Sequence, residues 1–360
     1  MRRVLYLTNK YSNNPGNKAL LNGTIKQINQ LIGDHYYEIF DLDKLSYNTI
    51  TEQKFVDLCN SYQYCIVAGP IIFNGQIHYN RTGSKINISL SKLKEIKSKF
   101  ILLGVSTRIW PLIKYYHLDK LIQFLEFIEN QRNWFFYIRD DGSLNTLNNL
   151  LSLNLKIPKV ADPALFAFEE KKRSENDNNI GLFVNLNGED FKNRFGDKHE
   201  TFLREITITI QDLMINGDYE KLVLQPHGPD DLEILSTLSN SLSPKIRHKH
   251  LEFGSLPREY GWESVYNKYR YECKNLITMR IHSLSPCIAM GIGTHIIYSS
   301  QRIKYLAGIL VEKNQFTCFD DPNLVERIKN GFPNKELIEK SLNRISLMKK
   351  ETLKTISEFI

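Results

Sequence analysis

TMRIHSLSPCIAMGIGTHIIYSSQRIK, residues 278–304, decides the reading of this chain. An apolar strand, Leu276 to Met279, runs into Arg280-Ile281-His282. The small and apolar stretch from Ser283 to Met290 reads as a helix. A Gly-Ile-Gly turn then leads into a second strand, Thr294 to Tyr298, followed by Arg302 and Lys304. Strand, helix, strand in so short a span is a βαβ unit with its polar residues at the carboxyl ends of the strands, the edge where open α/β sheets bind ligands. If Arg280 to His282 stays extended, alternation sets both side chains on one face. Arginine grips carboxylate or phosphate with a planar fork of hydrogen bonds, so this cluster predicts a pocket for a small, highly charged anion.

The rest of the chain repeats the alternation. Arg3 to Thr8 is an apolar first strand, and SNNPGNKALLNGTIKQINQL supplies a Pro-Gly turn and then a helix with Leu20, Leu21, Ile25, Ile28 and Leu31 on its apolar positions. Further strands are predicted at Tyr37–Phe40, Tyr64–Ala68, Phe100–Gly104 and Trp134–Ile138, with helical periodicity over 51–60, 85–97 and 118–130. EEKKRSENDNN (169–179) is charged and free of large apolar residues, so it reads as a linker. A second series follows, with strands Ile180–Asn185 and Lys221–Gln225 and helices over 199–214 and 230–242. The expectation is an α/β protein of two Rossmann-like domains facing a cleft. Its parts are an N-terminal domain over 1–168, the linker 169–179, a C-terminal domain over 180–333, and a last helix, 334–360, that packs back.

Composition narrows the function classes. The 360 residues are 42% hydrophobic and 24% charged, ordinary for a soluble globular protein. Five scattered cysteines, none in a CxxC pair, argue against a disulfide framework and a zinc site and favour a reducing compartment. The apolar run in MRRVLYLTNK is far too short for a signal peptide. The charge-free window 283–301 carries Pro286, two glycines and His295, which unfit it as a spanning helix, so a cytoplasmic protein is expected. The net charge of +7 is spread beside Asp and Glu rather than gathered in a basic stripe, which excludes nucleic acid as a partner. RIWPLIKYYHLDKL (108–121) mixes cations with aromatic and aliphatic residues; it reads as a half-buried helix and its entry loop, with peripheral contact with the inner face of a membrane as the alternative. RHKH (247–250) has His-x-His spacing but no acidic or cysteine partner, and no metal site is expected.

With these residues in view, the chain resembles the polysaccharide pyruvyltransferases. Their Arg-(Leu/Ile)-His, small-residue helix, Gly turn, apolar strand and downstream cation match residues 280–304. YIRDDGSLNTL (137–147) resembles their Arg-Asp-x-x-Ser-x-x-x-Leu element, and VADPALFAF (160–168) their Asp-Pro-Ala/Thr-Phe element. Asn14, Gly16 and Asn17 look like an Asn-x-Gly-Asp/Asn loop, and PHGPDD (226–231) like a His near an Asp. Two departures stand out: Ala68-Gly69-Pro70 where the family has three glycines, and Arg302 where lysine is more frequent.

The resemblance implies a glycosyltransferase-B-like architecture and transfer of the enolpyruvyl carbons of phosphoenolpyruvate onto two hydroxyls of a sugar. The acceptor would be a surface polysaccharide or its lipid- or carrier-linked precursor. Phosphoenolpyruvate would be a co-substrate, with no cofactor and no metal. Arg139, Arg280, Arg302 and Lys304 are expected at the donor, the arginines converging from strand ends of both domains. His282 and Arg280 are expected in the catalytic step, since histidine is the side chain that titrates near neutrality unperturbed. Asn14, Gly16, Asn17, His78, Arg81 and His227 are candidates for the acceptor. Asp140, Ser143 and Asp230 are expected as helix caps. A nucleotide-sugar glycosyltransferase of the same architecture, or a non-catalytic sugar-binding relative, is the alternative reading.

Overall fold

A computed structural model describes residues 1–111, 113–169, 180–217, 219–256 and 261–358. They form two compact units, one of Met1–Ser12, Asn17–Ala167 and Met348–Ile360, the other of Asn13–Gly16 and Phe168–Leu347. The linker expected over 169–179 lies, from residue 170 on, outside the described residues.

The first unit is built on a parallel sheet of β1 (Arg3–Thr8), β2 (Tyr36–Asp41), β3 (Tyr64–Ala68), β4 (Ile71–Phe73), β5 (Lys99–Thr107), β6 (Trp134–Arg139) and β7 (Lys159–Val160). The order is β2-β1-β3-β5-β6-β7, with β4 beside the far end of β5. Central strands are apolar on both faces because the sheet is covered on both. Alternation then separates two cores: Leu5, Val67 and Leu102 pack on one side, Val4, Tyr6, Ile66 and Leu103 on the other. The second core also holds Ile356, from the end of the helix Lys335–Ser357. There the Thr352 hydroxyl accepts a hydrogen bond from the Ala161 amide at 2.9 Å.

Two differences from the sequence reading have local causes. The helix predicted over 85–97 is only the turn Leu90–Leu93. Ahead of it the Thr82 hydroxyl donates to the Ile86 carbonyl (2.6 Å) and the Asn87 amide to the His78 carbonyl (2.9 Å), tying the backbone into a loop instead. β5 does not stop at Gly104, which takes a left-handed φ of 62° where the register with β6 shifts. The strand continues to Thr107, paired with β4, which the sequence reading missed.

The second sheet consists of β8 (Gly181–Asn185), β9 (Lys221–Leu224), β10 (Leu251–Phe253), β11 (Cys273–Thr278), β12 (Gly293–Tyr298) and β13 (Phe316–Cys318). Its order, β10-β9-β8-β11-β12-β13, is the doubly wound one, and the chain reverses direction of progress between β8 and β11. A crevice outside the carboxyl ends of those two strands is where such sheets bind ligands. Among the described residues no helix is long and apolar enough to cross a membrane.

His295 of β12 is buried in this unit, packed edge-to-face on Phe332 at 6.2 Å. A Cβ on Gly331 would come within 2.2 Å of its Nδ1. Burial holds its pKa down from 6.5 to about 3. The unfolded chain therefore takes up a proton below pH 6.5 that the folded chain refuses, and stability falls as pH drops toward 3, by up to about 1.4 kcal/mol per pH unit. Urea unfolding of wild type and His295→Leu between pH 7 and pH 4 checks this: the substitution should flatten the slope.

Candidate active site

The carboxyl ends of β8, β9 and β11 are stapled by one buried amide. Asn185, the last residue of β8, donates through Nδ2 to the Gln225 carbonyl after β9 (2.7 Å). Its Oδ1 accepts from the hydroxyls of Thr278 (3.2 Å) and Ser283 (2.8 Å). The Nε2 of His227 lies 3.1 Å from the hydroxyl of Ser283 and 3.1 Å from that of Tyr269. Burial, and after it the charge of Arg280, hold the His227 pKa well below the ordinary value, so the ring is neutral.

A buried carboxylate links these elements. Asp231 accepts from the amide of Gly188 (3.0 Å) through one oxygen and from the amide of His227 (2.9 Å) through the other. The Arg280 guanidinium donates to it through Nη2. Gly188 must be glycine, since a Cβ there would lie 1.8 Å from the Asp230 carbonyl oxygen. The expected cap Asp230 is exposed at the first residue of its helix, whose cap is Pro229; the acid that organises the loop is Asp231.

Arg280 is extended (φ −111°, ψ 125°) and caps the helix Ile281–Ala289. The alternation expected between Arg280 and His282 is therefore absent: His282 is the second residue of that helix, half-buried, not a strand residue. Both sit at a helix N-terminus, where backbone N–H groups favour anions. Gly16 is the close neighbour of His282, for a Cβ on it would lie 2.0 Å from Cγ and Nδ1 of the ring. Asn14 holds that glycine by accepting from its amide at 2.9 Å. Arg302 and Lys304 lie in the first turn of the helix Gln301–Leu310 after β12, with the Lys304 ammonium 5.5 Å above the Tyr298 ring. Around Asp231, the Nε of Arg280, the Nδ1 of His227 and the Oδ1 of Asn187 are buried with no hydrogen-bond partner among the described residues. Buried polar atoms are rarely left so without a ligand or water to complete them. Among the described residues no cluster of His, Cys, Asp or Glu could hold a metal ion.

A model of the polysaccharide pyruvyl transferase family matches residues 14–301. The chain belongs to that family. The chain is also similar to solved structures matched over nearly their whole length. One is Anabaena Alr3699/HepE in complex with UDP-glucose, at 9% identity and a TM-score of 0.54 over 99% of this chain and 98% of that one. Another is α,α-trehalose-phosphate synthase (UDP-forming) from Burkholderia vietnamiensis, at 9% identity and 0.51 over 99% and 97%. At such identities the likeness is one of fold, two Rossmann-like domains in the glycosyltransferase-B-like class. No curated protein matches the chain.

The remaining candidate residues fall in the first unit, and several serve its architecture. Arg139 ends β6 with no exposed surface. Its guanidinium donates to the carbonyls of Gly69 and Gly104 (3.1 Å from Nε to the latter) and faces the carboxylates of Asp162 (3.6 Å) and Asp141 (3.8 Å). Enclosed in this way, the guanidinium clamps the carboxyl ends of β3, β5 and β6. Gly69, alone in place of three glycines, keeps the left-handed φ of 73° that aims its carbonyl. Ser143 is not a cap: its amide and hydroxyl both donate to Asp141, while Asp140 pairs with Lys159 (3.0 Å). Arg81 pairs with Glu52 at 2.9 Å, and His78 lies between Tyr47 and Tyr79, 5.2 and 4.5 Å away. Asn17 donates to the Ser12 hydroxyl at 2.7 Å.

Replacing Arg139 by Ala strands two buried carboxylates and should cost about 3–5 kcal/mol. Lys304→Ala, on an exposed side chain, should move stability by no more than about 0.5 kcal/mol. Denaturant midpoints separate the two.

Proposed function

We propose that this pyruvyl transferase converts phosphoenolpyruvate and a sugar diol into a cyclic pyruvyl ketal and inorganic phosphate. One hydroxyl proton is matched by a proton placed on the methylene carbon, which becomes a methyl group, and the other leaves on phosphate. The two sugar oxygens end on the former enol carbon. Family membership supports the reaction class, and one observation carries the donor site: the buried Arg280 Nε, without a hydrogen-bond partner among the described residues, at the switch of the second sheet.

In this reading Asp231 fixes one edge of the Arg280 fork and leaves the rest for the carboxylate or phosphate of the donor. The N-terminus of the helix Ile281–Ala289 adds its N–H groups, and Arg302 and Lys304 add positive charge from the neighbouring strand end. His282 gives the proton that creates the oxocarbenium-like centre. His227, held neutral by its burial, stays a structural neighbour and not the acid. The acceptor is a polysaccharide or its lipid-linked precursor, met on the cytoplasmic side. A surface suited to lipid supports that location: Arg108 stacks on Trp110 at 4.0 Å, Lys114 on Tyr116 at 5.3 Å, and Ile113 is exposed. Residue 112 of this segment lies outside the described residues.

Phosphate release from phosphoenolpyruvate, with mass detection of a ketal on a panel of lipid-linked and nitrophenyl hexosides, tests the reaction. Release of a nucleoside diphosphate from a sugar nucleotide instead would overturn it. His282→Gln should cut turnover by about 10²–10⁴-fold and leave donor binding nearly intact. A weakened donor affinity with turnover at saturation unchanged would make His282 a binding residue. Flotation with anionic liposomes tests the location, and binding that does not weaken with salt counts against it.

A further inference from the structure

Pro286 lies inside the helix Ile281–Ala289. Having no N–H, it cannot donate to the carbonyl four residues back, which is that of His282, and its ring pushes that carbonyl outward. The carbonyl is nevertheless satisfied, because the Tyr266 hydroxyl donates to it at 2.7 Å. Tyr266 is itself immobilised. It stands on the helix Trp262–Glu272, buried, with its ring 4.8 Å from that of Phe168 and 6.0 Å from that of Trp262. On the other side the ring of His282 meets Gly16, where any Cβ would collide with it. All of these residues belong to the second unit.

We propose that Tyr266 is the positioning residue for His282. Its hydroxyl replaces the helical bond that Pro286 removes, and so fixes the first turn that carries both the imidazole and the Arg280 cap. An orphaned carbonyl at this point would turn toward water and let the turn fray. With Tyr266 in place, the distortion made by the proline has one direction and one end point. The functional consequence rests on His282 being the proton donor, whereas the positioning itself does not.

Tyr266→Phe keeps the ring and removes the donor. Turnover at saturating phosphoenolpyruvate should fall by on the order of 10²-fold, the effect of a misplacement of about 1 Å, with KM for the donor near that of wild type. Adding Pro286→Ala to that variant returns an N–H aimed at the His282 carbonyl and should recover most of the lost turnover. A cavity or a loosened fold would not be repaired this way. A second readout is independent of any donor: the imidazole signal of His282 in histidine-labelled protein, identified by its loss in His282→Gln. It should shift in Tyr266→Phe and return in the double variant. A Tyr266→Phe protein with wild-type signal and turnover, or a double variant no closer to wild type than the single, overturns the proposal. If wild type releases no phosphate from phosphoenolpyruvate, the functional reading fails while the imidazole signal still decides the positioning.

Discussion

The second unit depends on the pairing of Asp231 with Arg280, because a carboxylate with no exposed surface is tolerated only when its charge and lone pairs are answered. Two of the answers are backbone amides, from Gly188 after β8 and His227 after β9, and the third is the guanidinium after β11. One side chain thus draws together three strand ends at the switch of the sheet. It also sets the orientation of Arg280, whose side chain is only 11% exposed and whose remaining donors are aimed by the edge already bound. Rigid presentation of a partly used fork is what recognition of a small anion requires, since little conformational entropy is left to lose on binding.

Arg139 and Arg280 show how the same residue type at similar places serves opposite ends. Each stands at or just past the carboxyl end of a parallel strand, and each faces a buried carboxylate. Around Arg139 two left-handed glycines turn their carbonyls inward and two acids compensate the charge, and none of the side chain is exposed. Arg280 meets one acid, and its Nε is left buried without a partner among the described residues. The difference lies in the partners that the loops deliver, not in the arginine.

The helix that follows Arg280 carries a proline in its interior, a residue that such a short helix tolerates only with outside support. That support comes from Tyr266, which with Trp262 and Tyr269 forms an aromatic cluster on a preceding helix whose two tyrosines pack on the neutral His227. The hydroxyl of Tyr269 lies 3.1 Å from His227 Nε2 as that of Tyr266 lies on the His282 carbonyl. The packing core and the polar scaffold of the candidate site are therefore the same residues, so substitutions here couple stability to geometry.

Periodicity and composition determined the α/β class and the two series of strands, since buried parallel strands are apolar throughout and alternate with amphipathic helices. They also singled out Arg280, His282 and Gly16, because an Arg-x-His at a strand end and a glycine turn before a helix are local signals. The partners of those residues were not legible. Asp231 was hidden beside Asp230, and nothing in PHGPDD tells which acid turns inward; the helix phase of Asp230–Ser241 decides it. Asn185 read only as the end of a strand and Tyr266 carried no local signal, for their hydrogen bonds run over 98 and 16 positions of sequence. Arg139 carried a family motif yet went to the interior, because Gly69, Gly104 and Asp162 meet it only after β3, β5 and β6 lie side by side. Local sequence determined which residues could carry charge to the edge of the sheet. Only the tertiary structure decided which charges are compensated, because compensation is a matter of distance in space, over which sequence separation has no hold.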